Sequence, residues 1–314
     1  MSQKIIDDHE FIRLFRLGGC AGVCKVTGQS SRSAYTRRRN LENKLDITIE
    51  SPNQGLQDAG PPRKARVPVD LRDGIVMVGS DAHYWQDIST AHAAFVALAK
   101  KIKPDVVIVN GDMLDGASIS RHPPINWESA PSLIEEVEYC QARLGEIVKA
   151  SPSARHLWTA GNHDLRFEAR LASVAAEFKG LPGVHLKDHF PQWQPCMSVW
   201  INDDLVVKHR FKGGLHARHN NTLASGKSML TGHTHQQGCT PFTDYNGTRY
   251  GIEAGTMAEP YGAQFEYTED NPRNWVSGFA VITFVDGHMM MPEFVRVVDV
   301  GLYEFRGKRW EVKI

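Results

Sequence analysis

The sequence contains no hydrophobic run long enough to cross a bilayer. Nowhere among its 314 residues does an apolar stretch approach the ~18 to 20 residues that a membrane-spanning helix requires. Charged residues interrupt the N-terminal positions at once, which is not the pattern of a secretory signal peptide. We therefore expect a cytoplasmic protein without a membrane partner.

Cysteine is scarce, and neither sign of charge is in excess. The five cysteines are odd in number and scattered, and only Cys20 and Cys24 lie close together, which is a poor zinc signature. We expect reduced thiols, as in cytosolic proteins. Lys and Arg number 36, and Asp and Glu also number 36, so the formal net charge is zero.

Two common catalytic motifs are also missing. Gly226-Lys227-Ser228 matches the end of a phosphate-binding P-loop, but Asn221 stands where that motif requires glycine. No serine or cysteine nucleophile elbow is visible. The sequence therefore argues against both kinds of site.

The N-terminal segment, residues 1–44, is basic and has the apolar spacing of helices. It carries nine Lys or Arg residues against four Asp or Glu residues, a balance of +5. Gly28 is a candidate turn, and Ser30 or Ser31 is a candidate N-cap. The spacing predicts three helices, at residues 7–17, 20–27 and about 32–44.

Three short helices with a glycine turn before the last, basic one resemble a helix-turn-helix module. The segment departs from the usual pattern at Cys24, where alanine is common, and at Gln29, where an aliphatic residue is usual. The alternative interpretation is a basic, solvated helical hairpin. The resemblance makes DNA a candidate partner, bound by four arginines of the third helix: Arg32, Arg37, Arg38 and Arg39.

A linker and a larger domain follow the basic segment. Residues 45–73 lack periodicity and contain clusters of Gly, Pro and Asn, so we expect a flexible linker. Between residues 75 and 178, three β-branched runs each precede a helical pattern, which implies parallel strands. After residue 184 short strands dominate, and we expect a mixed sheet that packs on the first.

Polar groups with metal-binding chemistry follow five of the predicted strands. In open α/β sheets, ligands bind at the carboxyl ends of the strands. Carboxylates, imidazoles and one amide can together ligate a metal, move a proton and orient the group that moves it. The five motifs are Asp81-x-His83, Gly111-Asp112-x-x-Asp115, Gly161-Asn162-His163-Asp164, His209, and Gly232-His233-x-His235.

This series of motifs resembles the calcineurin-like metallophosphoesterases over roughly residues 74–300. The resemblance implies a four-layer α/β/β/α sandwich, formed by residues 74–314 and preceded by the small all-α module. The fourth motif departs from the family, which usually has His-Gly where this chain has His209-Arg210, and His216 or His219 is the alternative ligand there. A small helix-turn-helix before this hydrolase also resembles phage and prophage proteins.

The resemblance implies two divalent metals ~3.5 to 4 Å apart, which clamp a phosphoryl group and activate hydroxide near neutral pH. Mixed nitrogen and oxygen ligands favour Mn²⁺, with Fe, Zn, Ni and Mg as alternatives. Asp112 is implied as the ligand that bridges the metals. The implied ligands are Asp81, His83, Asp112 and His235 for one metal, and Asp112, Asn162, His209 and His233 for the other.

The resemblance also implies a general acid. His163 occupies the position that faces the leaving group, and Asp115 is implied as the carboxylate that orients it. Asp164 is expected to stabilise the turn or the start of the following helix. Arg166 is a candidate contact to a phosphate, with a solvated helix residue as the alternative.

We therefore expect a phosphoester hydrolase, a phosphodiesterase or phosphatase, with DNA and nucleotides among the candidate substrates. The protein Ser/Thr phosphatases of this superfamily carry Arg directly after the last Asp of the second motif, and Gly116 at that position argues against this branch. The alternative is a DNA-binding protein whose phosphoesterase-like domain is only a scaffold. The presence of every expected ligand type counts against it. The sequence leaves the oligomeric state open.

Overall fold

The computed structural model describes residues 4–47, 49, 66–121, 130–202, 204–271 and 273–314. The chain divides into two compact units, Met1–Arg63 and Lys64–Ile314. Residues 50–65 of the predicted linker lie outside the described residues. Within the described ranges, no helix is both long enough and apolar enough to span a membrane.

The described residues of the first unit form two helices, α1 at Asp8–Thr27 and α2 at Ser31–Leu45. Gly19 interrupts α1 with non-helical backbone angles (φ 60°, ψ −161°), so the first two predicted helices form one bent element. The predicted turn at Gly28 is confirmed, because its left-handed φ of 71° ends α1. The side chain of Ser30 accepts a hydrogen bond from the first turn of α2 and caps it.

Apolar side chains from both helices form a small separate core. Phe11 and Phe15 project from α1 and are fully buried. Tyr35 on α2 meets Phe15 edge-on at 6.0 Å between centroids, yet 53% of Tyr35 remains exposed. The buried members of this core are Phe11, Phe15, Val23, Ala34, Leu41 and Ile49. The unit is therefore a helical module with its own apolar interior.

The second unit begins with a strand that the sequence did not predict. β1 at Arg66–Val69 pairs in parallel with β6 at Ser198–Ile201. The predicted extent of the linker to residue 73 is therefore wrong from residue 66 onward. Val67 and Val69 are buried and alternate with exposed neighbours, so one face of this short strand packs into the domain.

Within the described residues, fifteen strands and four helices form the second unit. The remaining strands are β2 Gly74–Gly79, β3 Val106–Val109, β4 Arg155–Thr159, β5 Gln194–Cys196, β7 Leu205–Val207, β8 Ser228–Thr231, β9 Gln237–Asp244, β10 Gly247–Ala254, β11 Gly278–Val285, β12 His288–Met289, β13 Glu293–Asp299, β14 Leu302–Phe305 and β15 Lys308–Glu311. The helices are α3 Thr90–Ile102, α4 Leu133–Ala150, α5 Asp164–Val174 and α6 Ala217–Ser225.

The strands form two mixed sheets. The first has the order β15-β14-β13-β11-β2-β3-β4-β5, with β12 paired to β11, and the second has the order β1-β6-β7-β8-β10-β9. β2, β3 and β4 are parallel neighbours, which confirms the arrangement predicted from their alternation with helices. β11 joins this parallel core as an antiparallel strand beside β2.

Alternate residues of the central strands face two different cores, because successive side chains of a strand point to opposite faces. Val76 and Val78 of β2 pack with residues of the second sheet, so this core lies between the sheets. Met77 faces the other way, toward Phe95 of α3 and Leu144 of α4. α6 packs on the far sheet against β8, β9 and β10. The layers are thus helix, sheet, sheet and helix, as the resemblance implied.

Candidate metal centre

The five motifs lie at the carboxyl ends of β2, β3, β4, β7 and β8. The backbone N–H of Asp81 donates to the carbonyl of Gly111 (3.0 Å), and that of His83 donates to the carbonyl of Asp112 (3.0 Å). The backbone N–H of His233 donates to the carboxylate of Asp81 (2.9 Å to Oδ2). The loops after β2, β3 and β8 are therefore tied together beyond the ends of the strands.

Three sets of three side chains each bring their potential ligand atoms within 4.8 Å of one another. One of them, His83, Asp115 and His163, shares His83 with another, and the other two sets consist of predicted ligands. Asn162 approaches the second set, with its Oδ1 3.2 Å from Nε2 of His209. The same nitrogen lies 3.1 Å from Oδ2 of Asp112. The first set is Asp81, His83 and His235, and the second is Asp112, His209 and His233.

The fourth motif had three candidate histidines. His209 is 1% exposed and contacts Asp112. His216 and His219 lie at the start of α6 and are exposed, and the ring of His219 packs against Phe242. Of the three, only His209 lies with the two sets of side chains.

Hydrogen bonds orient two of the imidazoles. Nδ1 of His83 donates to the carboxylate of Asp115 (2.8 Å), and Nδ1 of His209 donates to the backbone carbonyl of Asn110 (2.8 Å). An acceptor at Nδ1 keeps the proton there and leaves the Nε2 lone pair free for a metal. Nε2 of His83 is buried and has no hydrogen-bond partner among the described residues, and the same holds for Nδ1 of His235. Since buried polar atoms are normally paired, this donor set fits divalent metals.

Five residues of the two sets have a left-handed backbone. Positive φ is rare for residues with a side chain and costs about 1–3 kcal/mol each, and it persists where the surrounding structure enforces it. The sharp turn at each strand end directs neighbouring side chains of one motif into the centre. The φ angles are 53° at Asp81, 41° at His83, 52° at Asp112, 71° at His233 and 58° at His235.

Two motif glycines allow the loops to approach the candidate ligands. A Cβ atom at Gly161 would lie 2.1 Å from Oδ1 and 2.2 Å from the backbone nitrogen of Asp112. A Cβ atom at Gly111 would lie 2.5 Å from the ring of His209. Because both distances are far below van der Waals contact, glycine is required at each position by the close packing of the centre.

Opposite charges in close contact dominate the electrostatics of the centre. Burial raises the pKa of Asp81 and Asp112, but the charges of the imidazoles, His209 foremost, outweigh it and hold both pKa values below the usual range. Burial lowers the pKa of His209, but the two carboxylates outweigh it and raise that pKa to about 9. Two buried carboxylates that stay ionised form an environment suited to cations.

Asp115 contacts both His83 and His163. Its carboxylate is closer to His83, although we predicted that it orients His163. Its carboxylate lies 2.8 Å from Nδ1 of His83 and 3.3 Å from Nδ1 of His163. Nδ1 of His163 instead donates to the backbone carbonyl of Asp115 (2.7 Å). Arg166 donates to the same carbonyl (2.9 Å), and a second guanidinium nitrogen lies 3.2 Å from Nε2 of His163. Arg166 therefore contacts the site rather than only solvent.

Asp164 joins the second and third motifs. Burial raises its pKa to about 6, with the charge of Asp112 as the next cause, and the surrounding N–H donors oppose this rise. Its role therefore extends beyond the local turn that we predicted, since one carboxylate holds two loops. The donors to it are the backbone N–H groups of Asp112, Met113, Leu114 and Gly161 and the indole N–H of Trp158.

Two further buried carboxylates support the loops and were missed in the sequence. Glu136 of α4 accepts backbone N–H bonds from Gly116 (2.6 Å) and Ala117 (3.1 Å), and burial raises its pKa to about 7. Glu253 of β10 accepts the hydroxyl of Thr234, between the two histidines of the fifth motif, and burial raises its pKa to about 7 as well. The sequence could have indicated a buried carboxylate at Glu136, because this residue lies beside the apolar face of α4.

The four arginines predicted to bind DNA fall into two pairs. Arg37 donates to Asp8 (2.8 Å) and lies over the ring of Phe11, and Arg38 donates to Glu42 (3.0 Å). These two guanidinium groups are therefore engaged inside the module. The other two arginines, Arg32 and Arg39, are exposed.

Comparison with known proteins identifies a family and two phage relatives. Residues 76–292 match the family described as calcineurin-like phosphoesterase. The chain is 28% identical over 264 residues to the Gene 54 protein of Mycobacterium phage L5, an alignment that covers 76% of this chain and 98% of that protein. The Gene 54 protein of Mycobacterium phage D29 is 29% identical with the same coverage.

Solved structures that match the chain are more distant in sequence. A metallophosphoesterase from Sphaerobacter thermophilus is 17% identical, with a TM-score of 0.40, over 75% of this chain and 90% of that one. Vps29 from Entamoeba histolytica, complexed with zinc, is 14% identical, with a TM-score of 0.40, over 76% of this chain and 98% of that one.

The fold and the centre are those of a metal-dependent phosphoester hydrolase. The chain belongs to the calcineurin-like phosphoesterase family, and its relatives include phage proteins.

Proposed function

We propose that the protein is a dinuclear metal-dependent phosphodiesterase that acts on nucleic acids or nucleotides. The observation that carries this proposal is the pair of donor sets, each with one carboxylate and two imidazoles, on adjoining loops. Asp81, His83 and His235 would hold one metal, and Asn162, His209 and His233 would hold the other. Asp112 would be a ligand shared by the two. When bound, two divalent ions, with Mn²⁺ as the expected metal, polarise a phosphoryl group and activate water near neutral pH.

His163 supplies the proton to the leaving oxygen. Its Nδ1 is held by the carbonyl of Asp115, so a proton on Nε2 is the one available for transfer. Burial lowers the pKa of His163, but the hydrogen bond to Asp115 and the charge of Asp112 outweigh it and raise the pKa above its usual value. This shift favours the acid form that a general acid requires. Arg166, beside Nε2, is positioned to contact a phosphate oxygen.

Turnover of bis-p-nitrophenyl phosphate by the full-length protein tests the proposal. The protein is stripped with a chelator and reloaded with Mn²⁺, and we expect activity to depend on up to two equivalents of metal. Asp112→Asn should abolish both metal binding and turnover, whereas Asp299→Asn, at an exposed position on β13, should change neither. Full activity in Asp112→Asn would refute the role of a shared ligand.

The competing function is a DNA-binding scaffold, and the same measurements separate it. A protein that binds metals but hydrolyses no monoester, diester, cyclic nucleotide or DNA strand would favour the scaffold. DNA binding by the first unit is compatible with either function. DNA binding is supported by the basic helix α2, which is capped and follows the turn at Gly28. Arg32 and Arg39 of this helix are exposed.

A further inference from the structure

The segment that follows β10 covers one flank of the metal centre with aromatic rings. Phe265 is 1% exposed, and its ring lies 5.2 Å from that of His83 and 5.5 Å from that of His235. Trp275 packs on His235 at 4.3 Å between centroids and on Phe265 at 5.1 Å. These contacts fix the position of the segment relative to two of the candidate ligands.

A stack of flat groups leads from this flank to the surface. The guanidinium of Arg273 lies 5.0 Å from the ring of Trp275 and 5.5 Å from that of Tyr261. It also donates to the backbone carbonyls of Pro260 and Phe265. Arg273 is thereby held in place between the two rings. The outer ring, Tyr261, is 91% exposed, although only two stacked groups separate it from His235.

A second exposed ring lies on the same segment. Tyr267 is 54% exposed, and its ring lies 6.4 Å from that of Phe265. Burial raises the pKa of Tyr267, the charge of Asp115 adds to this, and the charges of Arg273 and Arg166 oppose it. The ring of Phe265 thus lies between Tyr267 and His83 of the candidate centre. Two exposed tyrosines on one flank of a catalytic centre are not needed for packing.

Cations border the centre on more than one side. Arg166 comes from α5, Arg273 from the segment after β10, and Arg210 directly follows His209, where the family usually has glycine. No carboxylate among the described residues forms an ion pair with any of these three side chains. The ring of His209, the residue before Arg210, lies 5.4 Å from that of His233, so Arg210 is next in the chain to a member of the second donor set. Phe211, beside it, is 46% exposed.

We propose that this flank is a subsite for single-stranded nucleic acid, in which unpaired bases stack on Tyr261 and Tyr267. Arg210 then faces a phosphate of the bound strand, and Arg273 holds the ring of Tyr261 in place. Exposed rings interleaved with unpaired cations are the chemistry that binds single strands, because every base offers a face for stacking. In a duplex those faces are hidden. The inference rests on the proposed phosphodiesterase and narrows its substrate class.

Binding and turnover of a labelled single-stranded oligonucleotide test the subsite. Fluorescence anisotropy with a chelator present measures Kd without cleavage, and kcat/KM is then measured with Mn²⁺. Tyr261→Ala and Tyr267→Ala should each weaken binding about 10- to 100-fold, the range for loss of one stacked base. Tyr261→Phe and Tyr267→Phe, which keep the ring, should restore most of the affinity. Arg210→Ala should flatten the log–log salt dependence by about 0.7.

Tyr245→Ala is the matched control. Tyr245 is fully exposed at the turn between β9 and β10. Since β9 starts just after His235 and runs away from it for eight residues, the turn lies roughly 25 Å from the centre. This variant should bind and cleave the oligonucleotide like the wild type.

Three results would overturn the subsite. The first is equal binding of the strand by the two Tyr→Ala variants and the wild type. The second is a loss of bis-p-nitrophenyl phosphate turnover as large as the loss on the oligonucleotide, which would assign the tyrosines to the support of the metal centre. The third is a wild type that hydrolyses the small diester but neither binds nor cleaves single strands. If no diester is hydrolysed at all, the proposed phosphodiesterase itself fails.

Discussion

The carboxylate of Asp115 accepts a hydrogen bond from Nδ1 of His83 across 2.8 Å. A carboxylate in this position fixes the tautomer of a ligating histidine and raises its basicity. The same residue contacts His163 mainly through its backbone carbonyl, at 2.7 Å. The side chain of Asp115 is thus linked to the candidate metal centre through His83, and its main chain is linked to His163, the proposed general acid.

Asp115→Asn should therefore weaken metal binding as well as slow the reaction. We expect a loss of metal affinity of about 10- to 100-fold, because the charge that supports His83 is removed. Competition with a chromogenic chelator measures the affinity. If the variant bound both metals like the wild type and only kcat fell, the side chain would serve His163 and not His83.

His163→Asn should retain metal and lose rate. We expect kcat to fall about 10²- to 10⁴-fold for a diester with a poor leaving group, and much less for a nitrophenyl ester that needs little protonation. Metal content, measured by elemental analysis, should match the wild type. A loss of metal comparable to that in His233→Ala would identify His163 as a ligand instead.

The pH dependence of kcat should report the proton on His163. Because the acid form is the active one and its pKa is raised, activity is retained below that pKa and falls as the pH rises through it. The basic limb should start above the usual histidine value of about 6.5 and should be absent in His163→Asn. An unchanged basic limb in the variant would assign that limb to another group.

Gly161→Ala should disrupt the centre through the backbone of Asp112. A methyl group there would lie 2.2 Å from a backbone nitrogen, which cannot rotate away as a flexible side chain can. We expect loss of metal and a destabilisation of about 1–3 kcal/mol, as for overpacked sites.

Gly145→Ala in α4 is the control, since nothing lies within 4 Å of the added atom. It should leave metal binding intact and raise stability by up to about 1 kcal/mol. Denaturant unfolding and elemental analysis distinguish the two, and equal behaviour would contradict the close-packing argument.

The arginines of α2 should separate into DNA contacts and structural contacts. Replacing both Arg32 and Arg39 with Ala should flatten the salt dependence of duplex binding by about 0.9 per lost contact. Arg37→Ala should instead lower the midpoint of unfolding of the module, because its guanidinium pairs with Asp8 and lies over Phe11. Absence of any salt-sensitive DNA binding by the full-length protein at low ionic strength would refute the helix-turn-helix interpretation. The first unit would then be better described as a packing or oligomerisation element.

The class of the fold and the positions of the motifs follow from the amino-acid sequence alone. Both depend on local patterns: buried β-branched strands alternate with helices, and each polar motif directly follows a strand. The same local logic predicted the boundary at Gly28, where a left-handed backbone ends a helix. The sequence pattern did not predict strands with little burial, such as β9. β9 contains Pro241 and lies at a sheet edge with little burial, so its sequence lacks the signal of a buried strand.

Which side chains come into contact depends on how the separate elements pack in three dimensions. The sequence leaves His216 and His219 as alternatives to His209, and burial against Asp112 separates His209 from the other two. The pairing of Asp115 with His83 joins residues that are 32 positions apart, and that of Arg37 with Asp8 joins residues 29 apart. Local periodicity carries no information on such contacts, because they depend on how separate elements pack. The sequence gives the chemistry of each side chain, whereas the fold determines which side chain it contacts.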